Sequence, residues 1–214
     1  MRDAFHRDLE LLGAELATMC GMAVDAMRLA TQALLTADVP TAERVLTEDA
    51  ALDVARDECE RRAQSLLALY APMAGDLRTV LAVVYCAEKI ERMGDLARHV
   101  AAVVRLTHPA CAVPASLTGA FETLGEVTVE IAEQVQRLMI NPGNIPFAQL
   151  DAADDRVDAL YAWLLAQITA WDSPLGVPVA INVALLARFY ERFADQAVST
   201  ARRMAFAAAG AYPG

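Results

Sequence analysis

The sequence has one lysine, Lys89, in 214 residues, and the other 17 of its 18 basic residues are arginines. Acids number 28, which sets the formal charge at −10. A chain that acidic repels phosphate backbones and offers no basic patch to an anionic bilayer, so neither nucleic acid nor direct membrane insertion is expected. Glycine (10) and proline (9) are few, aromatics make up 6 %, and alternating β-branched runs are rare, which excludes a β-sandwich or barrel. Long hydrophobic runs are missing as well. The longest uncharged windows, Ser173–Ala187 and Leu106–Phe121, contain prolines and fall short of the roughly 20 apolar residues that span a bilayer. Acids and a second arginine interrupt the first eight residues, so no signal peptide is expected, and the chain reads as cytoplasmic. Cys20, Cys59, Cys86 and Cys111 lie far apart with no C-x-x-C, the pattern of reduced, mostly core-filling thiols.

What remains is a helical vocabulary of Ala, Leu, Val, Arg, Glu and Asp. Turn formers gather at five places: Asp38–Pro40, Ala71–Gly75, His108–Ser116, Asn141–Pro146 and Asp172–Pro178. Proline is tolerated in the first turn of a helix and not in its interior, so these clusters divide the chain into helices over 3–37, 40–70, 74–106, 115–140, 147–170 and 176–208. In the first, Phe5, Leu9, Leu12, Leu16, Met19, Ala23, Met27, Ala30 and Leu34 recur at steps of three and four, a single stripe for a bundle core. Short links imply antiparallel neighbours.

The pattern also doubles. Ile90-Glu91-Arg92-Met93-Gly94-Asp95 returns one hundred residues later as Tyr190-Glu191-Arg192-Phe193-Ala194-Asp195. On the helix before each lies an acid pair of the same spacing, Asp49/Asp53 and Asp154/Asp158. The expected fold is all-α, a tandem repeat of two antiparallel three-helix bundles, over 1–107 and 114–214.

Carboxylates four residues apart share one helix face and repel. Eight such pairs occur, where random placement gives about 3.6, a modest excess that makes their position the stronger signal. If the second and third helices of each half pack together, four carboxylates converge, and such a group must be protonated, paired with arginine or bridged by a cation. Hard oxygen donors suit Mg²⁺, Ca²⁺, Mn²⁺ or Fe. The alternative is a solvated face on which Arg56, Arg92, Arg156, Arg188 and Arg192 absorb the charge as surface pairs. On a helical wheel Glu91 falls on the side of Val80, Val84 and Ala87, with Asp95 at the edge of that apolar face.

Enzyme classes are thinned in the same way. None of His6, His99 and His108 has a Glu three residues before it, which removes the di-iron carboxylate oxidases. There is no G-x-S-x-G, no glycine-rich phosphate loop and no Cys/His couple. His99 reads as a polar packing residue, and no catalytic residue is expected.

The run Leu66-Leu67-Ala68-Leu69-Tyr70-Ala71-Pro72-Met73-Ala74-Gly75-Asp76-Leu77-Arg78, followed by Ile90 to Asp95, resembles the signature of the PhoU family. Asp154-Asp155-Arg156-Val157-Asp158-Ala159-Leu160-Tyr161 and Tyr190 to Asp195 carry the likeness through the second half. The resemblance implies a non-enzymatic cytoplasmic regulator that represses the phosphate-starvation response when phosphate is plentiful. Its implied partners are the ATPase subunit of the phosphate ABC transporter and a membrane sensor histidine kinase, with a homodimer as the assembly. It also implies multinuclear clusters of divalent or trivalent metal (Fe, Zn, Mn or Mg) on E(D)-x-x-x-D motifs. Position by position, the ligands would be Asp49, Asp53, Glu91 and Asp95 in one bundle, and Asp154, Asp158, Glu191 and Asp195 in the other. Two other readings are an accessory protein of a different phosphate permease and a plain helical scaffold. Where many relatives read G-D-H-A-x-N, this chain has Leu96 and His99 in one half and Gln196 and Ser199 in the other. The second half also lacks P-x-A-x-D-L-R, with Asp172 to Pro178 in its place.

Overall fold

The structure is a computed structural model that describes residues 2–140, 147–170 and 175–210. The turn clusters expected at 141–146 and at Asp172–Pro174 lie outside the described residues. Six helices follow one another: α1 (Arg2–Thr36), α2 (Val39–Tyr70), α3 (Ala74–Thr107), α4 (Thr118–Ile140), α5 (Phe147–Thr169) and α6 (Val177–Ala209). Among the described residues there is no strand. The all-α expectation holds, with helix ends within a few residues of those read from the turn formers. The one difference in type is at Ala115–Leu117, a single 3-10 turn ahead of α4.

The helix boundaries have local causes. Asp38 caps α2 by accepting from the Thr41 N–H at 3.3 Å, and Pro40 sits in the first turn, where no donor is lost. At the other end, Ala71 takes a left-handed φ of 44°, its N–H reaches the Leu67 carbonyl, and Pro72 stops the helix. Asp76 lies in the first turn of α3, where a negative charge offsets the helix dipole.

The apolar stripe of α1 is buried from Phe5 through Leu12, Leu16, Met19, Ala23, Met27 and Ala30 to Leu34. α1, α2 and α3 pack on one another, and α4, α5 and α6 do the same. α3 lies along α6 and α1 along α4, so one continuous core joins the halves. The α3/α6 pair is antiparallel: Cys86 meets Thr200, Lys89 meets Gln196, and His99 lies 5.2 Å from Phe189 between ring centroids. Met93 and Phe193, equivalent positions of the duplicated hexapeptide, sit between those contacts and are fully buried. The motif therefore meets its own copy at the middle of the molecule.

Two close approaches tighten this core. Gly125 on α4 leaves room for Thr31 of α1, whose side chain a Cβ at 125 would strike. The Thr31 hydroxyl donates to the Met27 carbonyl at 2.8 Å, and so accepts from the buried Tyr190 hydroxyl, also at 2.8 Å. Cys20, Cys59 and Cys86 fill core positions, and burial pushes their thiols up to about 12, 11 and 12, so they stay protonated. Cys111 is exposed, in the link between the halves, so the thiols are mostly core fillers, as expected.

Replacing Tyr190 with Phe removes one buried hydrogen bond between α6 and α1 and should cost about 1 kcal/mol of unfolding free energy. Phe193→Ala, which empties the centre of the α3/α6 contact, should cost about 3–5 kcal/mol. Urea titration of both variants checks the ranking; equal losses would mean that the Met93/Phe193 contact is not the centre of the core.

Candidate functional site: two carboxylate clusters

The eight carboxylates singled out by the repeat fall on α2 and α3 in one half and on α5 and α6 in the other. Asp49, Glu91 and Asp95 are half-buried and Asp53 is exposed; Asp154 and Glu191 are half-buried, Asp158 and Asp195 exposed. Helix pitch puts the two members of each pair one turn apart, and the packing of α2 on α3 and α5 on α6 turns the pairs toward each other.

In the first half the charge is answered by arginine. Arg98, one turn beyond Asp95, donates from Nη2 to Asp95 Oδ1 at 2.8 Å. Its Nε lies 2.8 Å from Asp49 Oδ2 with the proton aimed off that oxygen, which makes the second contact an ion pair without a hydrogen bond. Arg92 Nη1 takes the other oxygen of Asp95 at 3.1 Å. The side chains of Asp49 and Asp95 are only 17 % and 19 % exposed, so the pairing is partly shielded from water. Burial alone would raise the Asp95 carboxyl, but the Arg98 hydrogen bond and the charges of Arg98, Arg92 and His99 hold it below its ordinary value. Asp49 stays raised, because burial and the charges of Asp95 and Asp53 outweigh Arg98. Glu91 is raised by burial, Asp95 and Asp53. His99 is pushed down by burial and by Arg98, and its ring packs on Phe189; this is the packing role expected from the sequence.

The second half answers differently. Arg188 Nη1 reaches both oxygens of Glu191 at 2.6 Å, and Arg202 goes to Asp151 at 2.9 Å. Among the described residues no arginine lies within ion-pair distance of Asp154, Asp158 or Asp195. Burial, followed by the charges of Asp195 and Asp158, pushes Asp154 up to about 6. Asp195 is raised by burial and Asp158, and Glu191 by burial and Asp195. The charges of Arg202 on Asp154, and of Arg188, Arg192 and Lys89 on Asp195, only partly offset this mutual repulsion.

The pairs thus lie near enough to interact in each half. As they stand, however, no three His, Cys, Asp or Glu among the described residues are placed to hold a metal ion. The donor chemistry of the second half fits a hard cation, with uncompensated carboxylates on two helices. The first half does not fit one: a guanidinium already stands against Asp49 and Asp95. Arg98 is the residue that reading the sequence missed. The repeat offers only a partial cue, because the position one hundred residues on is Val198, which marks a difference between the halves without showing which carboxylate the guanidinium reaches.

A family model described as the PhoU domain matches residues 16–104. The chain is 42 % identical over 213 residues to a Mycobacterium tuberculosis protein named phosphate-specific transport system accessory protein PhoU homolog 2, with all of both chains covered. It is 41 % identical to a Mycobacterium leprae protein named PhoU homolog 1, covering all of this chain and 96 % of that one. Among solved structures, PhoU from Pseudomonas aeruginosa superimposes with a TM-score of 0.85 at 20 % identity, over 97 % of this chain and 100 % of that one. The phosphate transport system regulatory protein PhoU from Streptococcus pneumoniae gives 0.84 at 20 % identity, over 98 % and 99 %.

The raised carboxyl of Asp154 carries a signed pH effect. Its folded-state value near 6 lies above the ordinary 3.8, so the folded chain binds that proton more tightly than the unfolded chain does. The stabilisation is fully present below about 3.8 and is lost as pH rises through about 6. In chelator, Asp154→Asn should therefore melt higher than the parent at pH 7.5, with the gap closing toward pH 4. Parallel melting curves across that range would show that Asp154 carries no such strain.

Proposed function

The chain belongs to the PhoU family, accessory proteins of phosphate-specific transport, and from that premise we propose that it represses phosphate uptake and the phosphate-starvation response as a non-catalytic adaptor. In this reading it works in the cytoplasm, at the inner face of the membrane only through its partners. Those partners are the ATPase subunit of the phosphate ABC transporter and the sensor histidine kinase of the phosphate regulon, and the working form is a homodimer. The observation that carries the reading is full-length identity of 42 % to a protein named as a phosphate-transport accessory protein. Two features agree with it: no helix of the described residues is long and apolar enough to cross a membrane, and the molecule is built of long helices with extended side faces.

The duplicated halves, 1–107 and 114–214, are read as two PhoU repeats. Metal belongs to this proposal too. Asp154, Asp158, Glu191 and Asp195 would hold a divalent or trivalent ion (Fe, Zn, Mn or Mg), which would supply the counter-charge that Asp154, Asp158 and Asp195 do not receive from an ion pair among the described residues. Those side chains, held by helix packing, would present oxygens to the ion from both helices, while Arg188 opposes the rise that burial and Asp195 impose on Glu191.

Deleting the gene and following a reporter for phosphate-scavenging genes in phosphate-replete medium tests the regulatory role. Constitutive expression, reversed by a plasmid copy, is the expected result. Repression that persists unchanged in a strain without a second family member would reject the adaptor.

A further inference from the structure

We propose that Arg98 is a built-in counterion that occupies the cation position of the first carboxylate cluster, so that the two halves of this duplicated chain are not equivalent: the first is closed by its own arginine and takes no metal. The proposal takes from the family reading only the expectation of a cation at such clusters; the closure itself stands on geometry.

Three of the four oxygens of Asp49 and Asp95 are engaged. Arg98 bridges Asp49 Oδ2 and Asp95 Oδ1 at 2.8 Å each, and Arg92 holds Asp95 Oδ2 at 3.1 Å. A guanidinium bridging two carboxylates from neighbouring helices does electrostatically what a bridging ion does, and a second cation there would meet its positive charge at close range. The arrangement also depends on how near α2 comes to α3. Gly94 has no Cβ, and one placed there would run into Leu52 Cδ2 of α2. Both conditions are reversed in the second half, where Val198 stands for Arg98 and Ala194 for Gly94, each buried. Arg92's counterpart, Arg192, makes no ion pair within 4.0 Å, among the described residues. Two copies of one motif have thus met the same repulsion in two ways.

The test is metal content per chain, measured on the full-length protein after equilibration with Mn²⁺, Zn²⁺ or, anaerobically, Fe²⁺, each alone, followed by desalting. Asp49→Asn/Asp95→Asn should leave the parent's bound metal unchanged, whereas Asp154→Asn/Asp195→Asn should remove it. On the Asp154→Asn/Asp195→Asn background, Arg98→Gln and Arg98→Ala should each gain at least one metal equivalent, with helical content checked by circular dichroism. A loss of metal in Asp49→Asn/Asp95→Asn would overturn the proposal, as would folded Arg98 variants that gain none. If the parent binds no metal at all but the Arg98 variants do, the closure of the first half stands and the metal reading of the second half fails. If neither Arg98 variant folds, the Asp49→Asn/Asp95→Asn result decides alone.

Discussion

The antiparallel packing of α3 along α6 is the contact on which the rest of the molecule depends. Each of these helices packs on both others of its own three-helix group, and Met93 and Phe193, which the antiparallel register brings to the middle of the seam, are completely buried. At 1.5 Å per residue, helices of 34 and 33 residues run for about 50 Å, so their shared seam spans the molecule. A seam of that length also fixes the rotation of each helix about its axis. Once Met93 and Phe193 point inward, Glu91 and Asp95 must leave the seam toward α2, and Glu191 and Asp195 toward α5. The carboxylate clusters are therefore a consequence of the hydrophobic pattern, placed by which residues are buried and not by attraction among the acids.

That placement has an electrostatic cost. A half-buried carboxylate surrounded by others is driven to hold its proton, as Asp154 does near pH 6. Protonation, an arginine and a cation are the available remedies. Arg98 supplies the second of these to Asp95, whose carboxyl is held low, but only partly to Asp49, which stays raised. In the second half Arg188 pairs with Glu191, and its charge offsets the rise at Asp195 only in part. The difference follows from single positions, since arginine at 98 and valine at 198 occupy equivalent places on equivalent helices.

Most of the fold could be read in advance because its signals are local. Proline at 40 and 72, the Asp38 cap and the stripe from Phe5 to Leu34 each act within a few residues, and the helix ends they imply lie close to those observed. The acid pairs were legible for the same reason, since spacing by four places two side chains on one face whatever surrounds them. Arg98 was not, because Arg56, Arg92, Arg156, Arg188 and Arg192 were equally near in sequence. Which guanidinium reaches across to α2 depends on how the two helices pack, with Leu52 of α2 lying close over Gly94 of α3. Tyr190 shows the same limit: it replaces Ile90 in the repeat, and only the packing reveals that its hydroxyl is met by Thr31 from the other half.

These non-local choices are linked. An arginine can close a cluster only if both carboxylates lie within reach of one guanidinium, and that requires the helices to approach closely. A Cβ at 94 would strike Leu52 Cδ2, so the Leu52 side chain would have to turn aside one turn from Asp49, whose Oδ1 that Cβ would meet at an ordinary 3.6 Å. With Ala194 in the second half there is a methyl at the matching place, and no arginine follows at 198. Glycine and arginine thus occur together in one half, alanine and valine in the other. The divergence of the halves is better described as a change at two positions, 94/194 and 98/198, than as the gain or loss of a ligand, because every carboxylate of the motif is still present in both.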